Sequence, residues 1–243
     1  MKNDYLILGI ETSTLSCSVA LFNHHEVLYE QQECEGHHVH ASRLLPMIDE
    51  AMKASNCSAS DLSAVAVCAG PGSYTGLRIG VSTAKGICHA QSIPLIGVNS
   101  LEIQAYGASN TIEKTIIAVM DARRNEIYTQ SFRWNGASLE SLNETRAVIL
   151  SPDSTASPFP HVGAEVAVIG DAASKTQRLL GTAGHGWEFM EAHPLAKDLR
   201  IPAFAAFEQK QFDDVAYFTP RYLKEFQAGQ PKDPLGLRKP AIG

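Results

Sequence analysis

Two acidic residues set 110 positions apart, each closing an apolar run, are the first candidates for chemistry. Glu11 ends a run from Ile7 to Ile10 and opens onto Thr12, Ser13 and Thr14; Asp121 ends Ile117–Met120 and opens onto Ala122, Arg123, Arg124 and Asn125. A carboxylate pair so placed could hold a Mg²⁺-nucleotide between two facing subdomains, with hydroxyls on the phosphates. Both loops argue against a working site. The first offers hydroxyls but lacks the glycine that lets backbone approach a phosphate, and the second substitutes two bulky cations. Arginine can pair with phosphate, yet phosphoryl transfer also needs a positioned base and a metal clamp, and neither is identifiable. Glu11, Thr12, Ser13 and Asp121 therefore mark at most a vestigial nucleotide cleft. No catalytic residue is assigned.

Other groupings carry less. Cys34, His37, His38 and His40 crowd together beside Glu33 and Glu35, but two ligands on one helical face need i, i+4 spacing, and the fourth residues on are Ala41, Ser42 and Leu44. His37 and His40 could still converge; solvated loop histidines are the plainer reading, and no metal or cofactor is expected. The Gly70–Gly80 segment could cradle an anion at a helix start, but it is neither a Walker A loop nor a G-x-G-x-x-G fingerprint. No G-x-S-x-G elbow points to hydrolase chemistry.

The elements that would position these residues begin with three strand-like runs, 5–10, 17–22 and 27–31, as a meander. A helical pattern over 39–53 follows, interrupted by Pro46, which should kink it or lie near a late start. A buried strand (65–69), a Gly-Pro-Gly turn, a small-residue helix (74–90), a strand (95–98) and a short helix capped near Asn99 or Ser100 complete the first half. Residues 7–22 and 117–132 share the strand–acid–turn–strand plan at one offset, with Phe22 meeting Phe132, which indicates a duplicated subdomain. Boundaries are expected at 1–110 and 111–226, with 227–243 a loose tail. In the second half, 151–163 reads as a loop, 166–170 as a strand, 172–180 as a helix, and 194–207 as an apolar run broken by Pro202.

Gly72, Gly76, Gly80 and Ala84 recur every fourth residue, a nearly bare ridge on the 74–90 helix. Each helical glycine gives up about 1 kcal/mol relative to alanine, so close approach by another backbone is the expected reason. A polar stripe (Arg78, Ser82, Lys85, His89) is narrow, and the smooth side is read as open to a second helix. That partner could be the 39–53 helix of the same chain or a foreign one, and Gly80→Leu is expected to spare the fold while abolishing association.

Charge and cysteines narrow the class. Net charge is −6 with only Arg123–Arg124 as a basic cluster, which argues against autonomous nucleic-acid binding, so tRNA or DNA would be met only indirectly. Five cysteines without a Cys-x-x-Cys pair do not form a disulfide framework. With no signal-peptide h-region and no apolar run long enough to span a bilayer, a cytoplasmic protein without a membrane partner is expected.

ILGIETSTLSCSVALF, HASRLLPMIDEAM, GPGSYTGLRIGVSTAKGI, IPLIGVNSLE and MDARRNEIY, in this order, closely resemble the TsaB (YeaZ) family. Similarity is dense over about residues 5–132 and thin afterward, apart from Pro220–Leu223. The resemblance implies an α/β fold of the actin-like ATPase, sugar-kinase (ribonuclease-H-like) type with two duplicated subdomains. It further implies a non-catalytic scaffold and activator in making threonylcarbamoyladenosine on tRNA, at the adenosine 3′ of the anticodon. In that system TsaC makes threonylcarbamoyl-AMP, the catalytic paralogue TsaD transfers the group, and the ATPase TsaE joins through the complex. TsaB forms homodimers or heterodimers with TsaD through a helix pair, which maps here to 39–53 and 74–90, with His40, Leu44, Met47, Ile48, Gly76, Leu77, Gly80, Thr83 and Ala84 as interface residues. TsaD itself fits less well, because the chain lacks its H-x-x-x-H and is shorter. An ATP-binding phosphotransferase of actin-like fold, or a glycoprotease-like metallopeptidase, is the alternative class.

Overall fold

A computed structural model describes residues 5–34, 39–109, 115–136, 138–151, 158–159, 165–180 and 184–224. The first half contains β1 (Ile7–Glu11), β2 (Cys17–Phe22), β3 (Val27–Glu33), α1 (Val39–Ala54), β4 (Ala64–Gly70), α2 (Tyr74–Gln91), β5 (Leu95–Asn99) and α3 (Ser100–Ser109). The second contains β6 (Thr115–Asp121), β7 (Glu126–Trp134), β8 (Leu139–Ser141), β9 (Arg146–Ile149), β10 (Val166–Ile169), α4 (Ala173–Leu180), β11 (Glu188–Met190) and α5 (Arg200–Glu208).

The duplication is visible in the sheets. The first runs β3-β2-β1-β4-β5, and the second runs β8-β7-β6-β10-β11, with β9 added alongside β7. In each, a hairpin pairs the leading strand antiparallel, and two later strands add in parallel. This doubled α/β order is that of the actin-like, sugar-kinase-type fold. One detail of the expected correspondence changes. Glu11 pairs with Ser18, whereas Asp121 pairs with Ile127, because the second turn is one residue shorter. The acids do correspond, but Phe22 pairs with Ile7 while Phe132 pairs with Ile116, so the phenylalanine match falls out of register.

Because side chains alternate across a strand, each central strand feeds two cores. Leu8, Ile10, Val19, Leu21, Val65 and Val67 face α1 and α2, meeting Leu44, Met47, Val81 and Ala84. Ile7, Ala20, Phe22, Ala64 and Ala66 face the other way and would be left in water. Residues late in the chain cover them: Ala196, Leu199, Ala203 and Phe204 close that face. The expected division at 111–226 is therefore corrected. Residues 195–224 return to the first sheet, where a bridge between Leu95 and Asp213 extends its edge. The segment 227–243 lies outside the described residues.

α3 also joins the halves, with Ile103 in the first core and Leu101 and Ala105 in the core of the second sheet. Its start is fixed by Asn99, whose Oδ1 accepts the Leu101 N–H at 2.8 Å. α1 runs through Pro46, which is exposed. Pro202 lies in the first turn of α5, where a missing N–H costs least. No helix among the described residues is long and apolar enough to cross a membrane.

Candidate functional site

The loop after β1 lies at the carboxyl end of the first sheet, the usual crevice for a ligand in an open α/β sheet. Here the loop is sealed except at Leu15, whose side chain is exposed. Glu11, Thr12, Ser13, Thr14 and Ser16 are all buried. The Glu11 Oε1 accepts the Ser13 N–H at 2.5 Å, turning the chain sharply, and Thr14 Oγ1 accepts the Ser16 N–H. The Gly-Pro-Gly turn and α2 then close over it. The Ser73 N–H donates to Ser13 O at 2.6 Å, and the Thr12 hydroxyl donates to Gly76 O at 2.9 Å.

The bare ridge is thereby explained, and the expectation about it is corrected. A Cβ at Gly76 would fall within 3.0 Å of Thr12 O, and one at Gly80 within 3.0 Å of Thr12 Oγ1. Gly72 meets Ser13 O in the same way. The backbone that presses on α2 is this chain's own first loop. A foreign helix has no access to Gly76 or Gly80. The same correction applies to Leu44, Met47, Ile48, Leu77 and Ala84, which are core residues, and to His40, whose Nε2 lies 3.2 Å from Ser16 O. Thr83 is half-buried. What the helix pair shows outward is different: Ala41, Leu45 (63% exposed) and Pro46 on α1, and Ser82 and Gly86 on α2. Gly86 has nothing within 4 Å of its would-be side chain.

Burial dominates the chemistry of Glu11. It pushes the carboxyl up to about 7, against the lowering pull of Cys68 and Ser13. Its Oε2 has no hydrogen-bond partner. Beside it, the Cys68 Sγ lies 2.9 Å from Ser100 Oγ, and the Ser100 hydroxyl donates to Pro71 O at 2.5 Å. Burial also pushes the Cys68 thiol up, so it does not supply a thiolate nucleophile. This acid, thiol and hydroxyl lock the turn under the sheet.

Asp121 occupies the same place in the second half but faces water, with its side chain 48% exposed. Its Oδ1 accepts the Arg123 N–H at 2.5 Å, repeating the Glu11 turn, and pairs with Lys175 at 3.0 Å. Asp171 Oδ1 accepts the Asp121 N–H, and Glu191 Oε1 accepts the Ser174 N–H at the start of α4. Carboxylates of the chain itself thus stand where an anionic ligand would be drawn. No hydrogen bond or ion pair joins Glu11 to Asp121 among the described residues. Glu11 is sealed beneath α2 while Asp121 stands in water, so the two acids meet opposite surroundings.

A strap over residues 213–224 completes the closure. Asp213 Oδ2 accepts the Gly97 N–H, and the Lys85 ammonium donates to the carbonyls of Ala216 and Phe218. The Arg221 N–H donates to Ala69 O at 2.7 Å, over the carboxyl end of β4. Tyr222 stacks on Tyr74, with ring centroids 4.5 Å apart, and Lys224 pairs with Glu126 of the second half. Pro220–Leu223 stood out in the sequence; its bridging role did not, since nothing local fixes where an irregular segment lands. Of the histidine cluster, His37 and His38 fall outside the described residues.

Comparison with known proteins places this geometry. A family model described as TsaD, tRNA N6-adenosine threonylcarbamoyltransferase, matches residues 34–232. The chain is 37% identical over 144 residues to the tRNA threonylcarbamoyladenosine biosynthesis protein TsaB of Escherichia coli K12, covering 59% of this chain and 62% of that protein. It is 32% identical over 145 residues to its counterpart in Bacillus subtilis 168, covering 60% and 62%. The structure of YeaZ from Pseudomonas aeruginosa superposes with a TM-score of 0.77 at 25% identity, over 90% of this chain and 100% of that one. The chain belongs to the TsaB (YeaZ) family. The TsaD model reaches it as well, and the Gly-Pro-Gly turn at residues 70–72 lies inside the matched range. The match spans about three fifths of the curated TsaB relatives' length, 62% for both proteins named.

Proposed function

We propose that the chain is a non-catalytic scaffold and activator subunit for threonylcarbamoyladenosine formation on tRNA, binding the transferase TsaD. One observation carries the reading. The loop that would take a nucleotide phosphate is filled by α2, with Thr12 seated against Gly76 and Gly80. A chain whose cleft is packed with its own side chains contributes by docking, and the relatives' role names the reaction it serves. The docking face is the outward side of α1 and α2 around Leu45, Pro46, Ser82, Thr83 and Gly86. A helix can approach most closely at Gly86, because no side chain stands there. A second copy of the chain competes for this face, giving homodimer or heterodimer. TsaE joins through the assembled complex, and the setting is the cytoplasm, where tRNA is modified.

The test is reconstitution of threonylcarbamoyladenosine formation from purified components with and without this chain, and with Gly86→Trp. The wild type should raise product formation by TsaD at least tenfold, and Gly86→Trp should fold normally but fail to co-elute with TsaD. Equal product without the chain, or turnover of ATP by the chain alone, would overturn the assignment.

A further inference from the structure

The turn between β6 and β7 places Arg123 at φ 70° and Arg124 at φ 51°. Two adjacent arginines in the left-handed region are costly where glycine or asparagine would fit without strain. Their side chains are exposed, and no carboxylate pairs with either among the described residues. Folding alone gives no reason for arginine here. The strap reaches the same turn: the Lys224 ammonium, paired with Glu126, lies 3.3 Å from Ala122 O, and Arg221 is exposed three residues earlier in the strap. Next to Arg221, the Tyr222 ring stacks on Tyr74, and the Arg78 guanidinium sits 4.1 Å above the Tyr74 ring. An exposed arginine pair at the turn and a Tyr222–Tyr74–Arg78 stack beside Arg221 are thus tied together by one strap, on a chain whose net charge is −6.

We infer that this turn and strap form a contact surface for the sugar–phosphate backbone of an RNA strand. Arginine forks match phosphate oxygens two bonds at a time, and tyrosine faces accept an unpaired base. An acidic protein would use the charges but not the stacked rings. That the RNA is tRNA rests on the function proposed above. It also amends the expectation that tRNA is met only indirectly: contact is made inside the complex, and binding by the isolated chain is weak.

The variant that separates this role from folding is Arg123→Asn with Arg124→Gly, since both replacements tolerate positive φ. In the reconstituted complex it should raise the KM for tRNA about tenfold and leave kcat unchanged, while the melting temperature equals or exceeds the parent's. By fluorescence anisotropy between 50 and 200 mM salt, the slope of log affinity against log salt should fall by roughly two, one for each lost phosphate contact. Arg221→Ala should lower the slope by roughly one. An unchanged KM and salt slope in a complex that makes product would overturn this inference and leave the scaffold role standing. Poly-glutamate competing as well as unmodified tRNA would overturn it too, assigning the surface to an acidic protein. Failure of the wild-type complex to make product would instead overturn the function itself.

Discussion

The two halves of the molecule share one topology and treat the same corner in opposite ways. In the first half, the acid that ends the leading strand is buried, its turn lies under α2, and three glycines make room for it. In the second half, the corresponding acid stands in water, its turn carries two strained arginines, and α4 reaches it through Lys175. A fold that can clasp a ligand between paired turns has been closed on one side and opened on the other. The closed side became core, and the open side became surface.

The largest expected effect lies on the closed side. Gly76→Leu sets a Cβ against the Thr12 carbonyl, a backbone atom that cannot step aside. Overpacking of this kind should cost about 3 kcal/mol or more. Urea denaturation at several protein concentrations checks it, and the loss should be the same at each. Next comes Glu11, whose carboxyl is raised to about 7 by burial. A carboxyl raised in the folded state stabilises below the unfolded value, near 4.5, and that contribution is lost as pH climbs toward 7. Relative to Glu11→Gln, the wild type should lose about 3 kcal/mol across that window. Parallel unfolding curves from pH 4 to 8 read the difference, and equal slopes would place Glu11 in contact with water.

On the open side, effects should be small. Lys175→Ala breaks the pair with half-exposed Asp121 and should cost about 1 kcal/mol, lessened by high salt. The smallest change should be a gain. Gly86→Ala sits in a helix with nothing near its new methyl group, so the isolated chain should become up to about 1 kcal/mol more stable. If Gly76→Leu and Gly86→Ala shifted the melting temperature alike, the contrast between inner and outer glycines would be lost.

Much of the first half was legible because its signals are local. The span of β2 agrees with the strand read from Cys17 to Phe22, and the helices around 39–54 and 74–91 follow from apolar spacing. The glycine ridge was equally plain, and so was its meaning that something presses on it. Which object presses was not legible. A four-residue glycine spacing records the distance of closest approach but not the owner of the approaching backbone, and Thr12 lies 64 residues from Gly76. The duplicated acid was found by its offset, whereas the frame shift in β7 was hidden by a coincidental phenylalanine. The strap and the strands β8, β9 and β11 were missed, since short exposed strands and an irregular segment held by carbonyls carry almost no periodicity.

A double-mutant cycle between Gly80→Ala and Thr12→Ala tests most directly whether the ridge serves the chain's own loop. Gly80→Ala alone should destabilise the isolated chain, and removing the Thr12 hydroxyl should recover much of that loss, a coupling of about 1–3 kcal/mol. Additive effects, with Gly80→Ala harmless to the fold but damaging to association, would contradict the account.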